Sequence, residues 1–403
     1  MINKWNYIQF VFIFILIACT EPPKKGTTNS SKDVVEISIQ QNNSDFKIED
    51  IIDTIYCVEL ETKLESLIGD IYLLRTFQDH FYILSLDGSS ISIFDKKGKY
   101  ITRINDQGRG PKEYIRITYF SIDPENKNII VTDGFSKKIF IYDLNGNQKS
   151  VITTDFIPNY VTRFNKNEFI NFESSNKTHQ ENPIIKENDL HFFNFSGKIE
   201  RGKITNQTPL FINYATPNSI SIQKNGHILY GPLLSDTLYK INNEGEVNPL
   251  YVLKYNFPGY KAINPNQKHK IQNHEHLNQL EELEKQNYLY YNGVVFDSPS
   301  YLITEYGTEK RKRLLYFKDT QKTYFYDIAH IDGDKALKSL TRLIRTHNND
   351  TMFSAFSPAM LKIMAEVEGF TPNKYTKLFE SIDEENNPVI FCFKFKEPEK
   401  WNT

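Results

Sequence analysis

The sequence contains few of the residues and motifs from which common catalytic and redox sites are built. Among 403 residues there are 3 Cys and 2 Trp, which excludes a dense disulfide framework. The G-x-S-x-G, H-E-x-x-H, P-loop and C-x-x-C motifs do not occur. The 48 basic and 50 acidic residues nearly cancel, so the positive field typical of nucleic-acid-binding proteins is missing. We therefore expect no nucleic-acid partner and no active site recognisable from a short motif.

Aromatic residues, in contrast, are abundant. The chain has 29 Phe and 24 Tyr, so 14% of it is aromatic. These side chains fit the pleated, half-buried surface of a β-sheet. The composition therefore favours an all-β fold with large sheets.

The first residues have the pattern of a secretion signal. Lys4 precedes an apolar run from Ile8 to Ala18, and roughly 11 residues are too few to span ~30 Å of hydrocarbon. The ending Leu16-Ile17-Ala18-Cys19 resembles the lipobox of bacterial lipoproteins, in which the cysteine thiol carries the lipid. The resemblance implies a signal peptide over 1–18 and attachment to a membrane through a lipid on Cys19. A signal peptide cleaved at another position is the alternative.

A polar segment follows the signal. Residues 20–33 contain no apolar side chain except proline, so they cannot form a core of their own. We predict a flexible tether over 19–45 and one folded body over 46–397.

A unit of about 50 residues recurs through this body. Four copies of the pattern strand, glycine, strand place their glycines at intervals of 48, 51 and 48 residues, at Gly98, Gly146, Gly197 and Gly245. A fifth copy has Gln321 instead of glycine, so its turn should be longer or of another type. A further strand pattern precedes each copy, and the stretch from Asp106 to Gly146 predicts a four-stranded antiparallel unit that the chain repeats.

A four-stranded sheet cannot bury both of its faces alone, but sheets stacked radially can. A less regular sixth unit has strand patterns at 351–357 and 386–396, with helical patterns at about 334–345, 358–368 and 372–382. The strand that this unit lacks is available at 53–62. We therefore predict a six-bladed β-propeller whose last blade is closed by the N-terminal strand.

Closure of this kind would place Cys57 and Cys392 on neighbouring strands. In an oxidising envelope compartment a disulfide between them would lock the ring. Two buried thiols are the alternative, because the register and the facing side of the strands decide whether a bond can form.

A helix-forming insertion at about 261–290 separates the fourth and fifth units. Ile271, Leu280 and Leu283 give it a narrow apolar stripe, and it must leave one end of the propeller. Three tyrosines near its end are candidate binding residues: Tyr288, Tyr290 and Tyr291. Aromatic rings suit sugars or partner loops, although strand alternation is equally compatible with core positions.

A second candidate site is the loop DQGRGPKEY at 106–114. Its candidate residues are Arg109, Lys112 and Glu113, beside accessible backbone amides that suit an anion or a sugar. In the structural alternative, Gly108 and Gly110 permit positive φ and Tyr114 fills the space between two blades.

This loop and the following FSIDPENKNIIVTDGFSKKIFIYDLNG resemble an NHL-type propeller repeat. With VELETKLESLIGDI (58–71) and the terminal EENNPVIFCFKFK, the body is similar to six-bladed β-propeller lipoproteins of Bacteroidetes. The resemblance implies a cell-envelope protein, at the outer membrane, that binds a protein or glycan partner without a cofactor.

The same resemblance implies one alternative, because some NHL-like propellers are enzymes with a metal in the central channel. This chain would then be a hydrolase or lyase that holds Ca²⁺ or another divalent metal. Asp70, Asp133 and Asp236 lie near the starts of blades, but Asp133 is better explained as a carboxylate that caps a turn. The sequence favours the binding scaffold over the enzyme.

Overall fold

The computed structural model describes residues 34–39, 46–172, 182–205, 216–223, 225–255, 260–262, 278–308, 310–368 and 383–397. Cys19, residues 263–277 of the insertion and the predicted helical segment at 372–382 lie outside these residues.

The first two blades are regular four-stranded antiparallel sheets in sequence order. Blade 1 comprises β3 (Ile71–Phe77), β4 (His80–Ser85), β5 (Ile91–Asp95) and β6 (Tyr100–Ile104). Blade 2 comprises β7 (Tyr119–Asp123), β8 (Asn128–Asp133), β9 (Lys138–Asp143) and β10 (Gln148–Thr153). The predicted repeat unit is thus confirmed.

Blades 3 and 4 follow the same order. Blade 3 comprises β11 (Tyr160–Arg163), β12 (Glu168–Phe172), β13 (Asn188–Asn194) and β14 (Ile199–Thr205). Blade 4 comprises β15 (Ile220–Ile222), β16 (Ile228–Tyr230), β17 (Thr237–Ile241) and β18 (Val247–Tyr255).

Blade 5 comprises β20 (Tyr288–Asp297), β21 (Tyr301–Gly307), β22 (Lys312–Phe317) and β23 (Thr323–Asp327), with β19 (Lys261–Ala262) parallel to β20. Blade 6 comprises β24 (Thr346–Asn348), β25 (Thr351–Phe356), β26 (Val389–Phe395) and β2 (Ile52–Glu59). The six sheets form a six-bladed β-propeller, as the repeat pattern predicts.

Within the described residues, five α-helices accompany the sheets: α1 (Ile48–Ile51), α2 (Pro183–Glu187), α3 (Asn278–Lys285), α4 (Lys335–Thr341) and α5 (Pro358–Glu368). The helices α4 and α5 confirm two of the predicted helical segments, and α3 confirms the last part of the helical insertion.

The ring is closed by antiparallel pairing of β2 with β26, in the register Tyr56 with Cys392 and Glu59 with Val389. This pairing confirms the predicted closure by the N-terminal strand.

The same register corrects the disulfide alternative. Cys57 lies opposite Phe391, one residue away from Cys392, so the two thiols point to opposite faces of the blade. Cys57 packs on the side of Phe356 and Phe391, whereas Cys392 packs on the side of Phe353. Both residues carry thiols and no bond joins them.

The first strand is a second correction, because we predicted a tether as far as residue 45. Instead β1 (Val35–Ile39) pairs in parallel with β18 and extends blade 4 to five strands. Ile37 and Ile39 are buried against Leu253 and other residues of this blade. The propeller therefore begins within the predicted tether.

Blade 6 is separated from blade 5 by α4, and a buried arginine fixes this helix. Arg313 on β22 donates to the carbonyl oxygens of Thr341 (3.1 Å) and Arg342 (2.7 Å) at the end of α4. It also donates to Glu305 on β21 at 2.8 Å. A buried charge must be paired, so this contact specifies where α4 lies.

The hairpin glycines set the contacts between neighbouring blades. Gly98, Gly146, Gly197 and Gly245 all have positive φ, between 73° and 84°. In blade 5, Gln321 adopts φ 56°, and its hairpin is one residue longer, closed by Phe317 and Lys322. The expected change of turn is confirmed.

Gly98 also lies directly against the preceding blade. Its carbonyl accepts a hydrogen bond from the Glu61 N–H at 2.8 Å, and an added Cβ would lie 2.0 Å from the Glu59 carbonyl oxygen. A side chain at this position must therefore displace backbone as well as adopt a strained φ.

We predict that Gly98→Ala destabilises the protein by about 1–3 kcal/mol, because it combines positive φ with a backbone clash. The matched control is Gly69→Ala, whose Cβ would meet no atom within 4 Å. Denaturation midpoints of the two variants measure the difference. Equal midpoints would show that the hairpin does not hold the two blades in register.

Candidate functional site

The two ends of the propeller differ, and the strand order determines how. The first strands of neighbouring blades lie beside one another and line the channel. Because the strands of a blade alternate in direction, turns from strand one to two and from three to four share one face. Connections from strand two to three, and from blade to blade, share the other face.

We call the first the short-turn face. Its described turns are 78–79, 96–99, 124–127, 144–147, 164–167, 195–198, 242–246, 298–300, 318–322 and 349–350. We call the second the long-loop face. Its described connections include 60–70, 86–90, 105–118, 134–137, 154–159 and 328–345, and the segments that contain α2, α3 and α5. One face is thus fixed by tight turns, while the other carries nearly all of the irregular structure.

The channel between the faces is crossed by an arginine. Arg75 on β3 donates to the Pro217 carbonyl at 2.8 Å and to Asn218 Oδ1 at 3.4 Å. These two residues lead into β15 of blade 4, which is opposite blade 1 in a six-membered ring. Arg75 therefore occupies the space where a ligand on the axis would lie.

A second polar group joins blades 4, 5 and 6. Ser221 Oγ lies 2.9 Å from His347 Nε2 and accepts the Asp297 N–H at 3.1 Å. His347 Nδ1 lies 3.2 Å from the Asn349 carbonyl, and Lys318 Nζ donates to Asp297 Oδ1 at 2.6 Å. A neutral His347 with its proton on Nδ1 satisfies both of its contacts, since Nε2 then accepts from Ser221.

These residues do not fit a divalent cation in the channel. In the part of the chain that the structure describes, no three His, Cys, Asp or Glu side chains converge. Arg75 and Lys318 instead place positive charge there. Metal sites for hard cations require several oxygen ligands, so we derive no chemistry through a metal.

The predicted loop at 106–114 lies on the long-loop face, and Arg109, Lys112 and Glu113 are all exposed. Glu113 Oε2 accepts the Gly110 N–H at 2.8 Å, and the Gly108 N–H donates to the Tyr114 carbonyl at 2.9 Å. The amides that could have held an anion are thus bonded within the loop.

The structural alternative for this loop is confirmed in one part and wrong in another. Tyr114 is buried and its hydroxyl donates to the Ser89 carbonyl at 2.9 Å. Gly108 and Gly110, however, do not have positive φ. A Cβ at Gly108 would lie 2.0 Å from Oε2 of Glu113, so an added side chain would displace this exposed carboxylate.

The candidate tyrosines do not form an exposed platform. Tyr290 and Tyr291 are buried, and the Tyr290 hydroxyl donates to Glu284 Oε1 of α3 at 2.9 Å. Tyr288 is half-buried, with Lys261 Nζ 5.5 Å from its ring centroid. The prediction of a binding surface is wrong for Tyr290 and Tyr291, which anchor α3 and the core.

Comparison with known proteins identifies the family of this propeller. A sequence model of the family described as Domain of unknown function (DUF4934) matches residues 32–394. The chain belongs to this family. The match extends over all six blades of the DUF4934 chain, from before β1 to the last residue but one of β26.

Two solved structures share the fold of this DUF4934 chain. A protein of Bacteroides fragilis NCTC 9343, whose name provisionally classes it as exported, is 18% identical, with a TM-score of 0.71 over 90% of this chain and 100% of its own. A DUF4221-family member from Bacteroides vulgatus ATCC 8482 is 11% identical, with a TM-score of 0.50 over 86% of this chain and 98% of its own. At these identities the similarity shows the fold alone.

No curated protein matches the DUF4934 chain. Within the described residues, no helix is both long and apolar enough to cross a lipid bilayer.

The sequence did not reveal where apolar residues are exposed. On the DUF4934 propeller, most exposed large hydrophobic residues of the described chain lie in connections of the long-loop face: Leu64, Leu67, Leu86, Ile115, Phe135, Ile157, Leu343, Met360, Ile363 and Val367. In the described turns of the opposite face, Phe195 is the one such residue. Exposed apolar patches commonly mark interaction sites.

The lowered pKa of His347 in the channel makes the free energy of unfolding depend on pH. Burial lowers the pKa of His347, the charges of Arg75 and Lys318 lower it further, and the Asn349 carbonyl and Asp297 oppose them. The unfolded chain, with a histidine pKa of about 6.5, binds a proton first as the pH falls. The neutral histidine therefore contributes stability at high pH that is lost as the pH falls below about 6.5.

We predict that His347→Gln reduces the loss of stability between about pH 8 and about pH 5.5, because glutamine does not titrate. Urea midpoints of both proteins across this range measure it. At pH 8 both side chains are neutral, which gives the baseline for each protein. Parallel midpoint curves for wild type and variant would contradict the assigned neutral histidine.

Proposed function

We propose that this chain is a lipid-anchored, extracytoplasmic propeller that acts as a binding scaffold for a protein or glycan partner. The observation that carries the proposal is the difference between the two faces. Long connections and exposed apolar side chains occur together on the long-loop face, whereas the short-turn face is made of tight turns. Binding residues are commonly found on loops that a rigid scaffold positions.

The residues of the central channel favour a binding site on the long-loop face over a catalytic site in the channel. Arg75 is bonded to Pro217 and Asn218 of the opposite blade, while Ser221 is bonded to His347 and Asp297 of two other blades. A channel used for catalysis needs polar groups directed at a substrate, with space for it between them. The contacts of these residues instead link opposite and neighbouring blades.

Two observations support a location in the envelope. The N-terminal segment has the lipobox-like ending at Cys19, and the similar Bacteroides fragilis protein bears a name that classes it as exported. We therefore place the lipid-anchored chain at an outer membrane.

Expression of the full chain in a lipoprotein-processing bacterium tests the proposal. We expect the wild-type chain to incorporate radiolabelled palmitate, to sediment with membranes and to form a defined cross-linked adduct in intact cells. Cys19→Ala is expected to lose the label and to leave the membrane fraction, because it removes the acylated thiol.

Cys57→Ala is the matched control, since Cys57 lies within blade 6, and it should retain both label and membrane attachment. Membrane attachment that survives Cys19→Ala would refute the lipid anchor. A wild-type chain that is anchored but forms no adduct with protein or glycan would refute the scaffold.

A further inference from the structure

We propose that the mouth of the central channel on the long-loop face binds an acidic sugar residue of a glycan. This inference rests on the proposed binding role and names the class of partner and the place where it binds. Three tyrosines from blades 1, 2 and 3 line the mouth: Tyr72, Tyr119 and Tyr160. Arg75 and Arg116 supply positive charge beside them.

The first strands of these blades place the three tyrosines at one level. Each strand begins on the long-loop face; Tyr72 is the second residue of β3, and Tyr119 and Tyr160 are the first residues of β7 and β11. The strand β7 contacts both β3 and β11. Tyr119 packs edge-on against Tyr160, with ring centroids 4.9 Å apart. Three aromatic side chains therefore lie where the channel opens.

A β-bulge sets Tyr72 apart from the other two tyrosines. The residues on either side of it, Ile71 and Leu73, pair with consecutive residues of β4, so Tyr72 is an extra residue in the strand. The first two strands of blades 2, 3, 4 and 6 pair without such a shift. Bulges redirect side chains and are frequent beside active sites. Tyr72 is 39% exposed although it lies in an innermost strand, so its ring is available to a ligand.

Arg75 brings a positive charge to the same level. Its backbone lies three residues further along β3, roughly 10 Å deeper. Its guanidinium nevertheless reaches Pro217 and Asn218, which precede β15 at the long-loop end of the channel. Since Arg75 also crosses the channel, a ligand of this charge lies at the mouth and not further along the axis.

The charge of Arg75 is not neutralised by a carboxylate. Its hydrogen-bond acceptors are the carbonyl oxygens of Leu74 and Pro217 and Oδ1 of Asn218, all of which are neutral. The ion pairs of the described residues do not include it. Arg75 can therefore pair with an anionic group of a ligand.

Two neighbouring carboxylates act on other arginines. Hydrogen bonds from nearby serines lower the pKa of Asp87, and Arg116 lowers it further. Burial lowers the pKa of Arg345, and Asp70 opposes this effect. These carboxylates therefore leave the charge of Arg75 available.

The Tyr72 hydroxyl responds to positive charge. Burial raises its pKa, Arg116 lowers it, Tyr119 raises it and Arg75 lowers it. Among the described residues, both charged side chains that shift this pKa are thus cations. The electrostatics at Tyr72 therefore favour an anionic ligand.

The Tyr119 hydroxyl is a further group that a ligand could satisfy. Tyr119 is buried, and its hydroxyl has no hydrogen-bond partner within the described residues. The guanidinium carbon of Arg75 lies 5.8 Å from the centroid of its ring. A buried polar group without a partner costs free energy, which a hydrogen bond from a ligand would offset.

This combination of groups favours an acidic sugar over other anions. An exposed aromatic ring offers an apolar face on which a pyranose ring can stack. Sugar hydroxyls both donate and accept hydrogen bonds, which suits the phenol hydroxyls and the Asn218 amide. A carboxylate on the same sugar pairs with a guanidinium. An inorganic anion would leave the Tyr72 ring without a contact, and an acidic peptide would supply the carboxylate without the hydroxyls.

Binding of the purified full-length chain, in detergent, to immobilised oligosaccharides of galacturonate and glucuronate tests the inference. We expect binding to these acids that weakens at high salt, and none to their methyl esters, which keep the sugar and lose the charge. Arg75→Gln is expected to weaken binding at least about tenfold, because it removes the paired charge. Tyr72→Ala should weaken binding to a similar extent, whereas Tyr72→Phe keeps the ring and should retain most of it.

The controls remove similar groups away from the mouth. Arg311→Gln removes an exposed cation before β22 of blade 5, and Phe195→Ala removes an exposed ring of the short-turn face. Both variants should bind like wild type. Thermal unfolding of every variant shows whether a loss of binding is a loss of fold. Because Tyr72 is partly exposed at a bulge, its variants keep the test valid if Arg75→Gln unfolds.

Binding that methyl esterification leaves unchanged, or that Tyr72→Ala leaves intact, would overturn the inference. Competition by inorganic sulfate as strong as that by free galacturonate would show a general anion site and would overturn the acidic sugar. Acidic peptides that displace the oligosaccharides at equal concentration would assign the mouth to a protein instead. A wild-type chain that binds no acidic oligosaccharide but forms an adduct with a protein in cells would overturn this inference and leave the proposed scaffold intact.

Discussion

The pairing of β2 with β26 is the contact on which the rest of the propeller depends. In five blades the four antiparallel strands come from one continuous stretch of chain, but the sixth lacks its outer strand until residues near the N-terminus supply it. A radial array of sheets buries both faces of each sheet only if the ring is closed. Seven paired positions between β2 and β26 achieve this.

Closure of the ring matters for function. It determines which connections lie on each face, whatever residues those connections contain. On the short-turn face, positive-φ glycines such as Gly98 and Gly197 press against the carbonyl oxygens of the preceding blade. That face cannot vary without disturbing the contact between blades. The long-loop face carries the insertion, the helices and most of the exposed apolar side chains of the described residues. The polar contacts of Arg75 and His347 further stiffen the channel between the faces.

Much of this architecture could be predicted from sequence, since its signals are local. The glycine intervals located the blades, Gln321 marked the one altered hairpin, and the pattern at 53–62 supplied the closing strand. Other features depend on tertiary contacts that no local pattern encodes. A shift of one residue in strand register separates Cys57 from Cys392. The five-residue strand β1 forms where blade 4 offers an edge. Strand alternation likewise could not tell whether Tyr291 faced solvent or the core.

The residues of the candidate site also divide into those that a local sequence pattern reveals and those that only tertiary contacts reveal. Arg109 and Lys112 were candidates because they lie in a glycine-rich loop, whereas the sequence did not single out Ile115 or Phe135. These two residues lie together because Asp133 bonds to the loops of both. A carboxylate at the end of a strand is visible in sequence, but the second loop that it binds is not.

The central claim is that this propeller meets its partner through the long-loop face. A photo-cross-linking phenylalanine analogue, inserted in place of Phe135 or of Phe195 in the full chain in living cells, tests it most directly. The two positions carry the same residue type at similar exposure on opposite faces. The account predicts a discrete adduct from position 135 and none from position 195. An adduct from position 195 alone would contradict it.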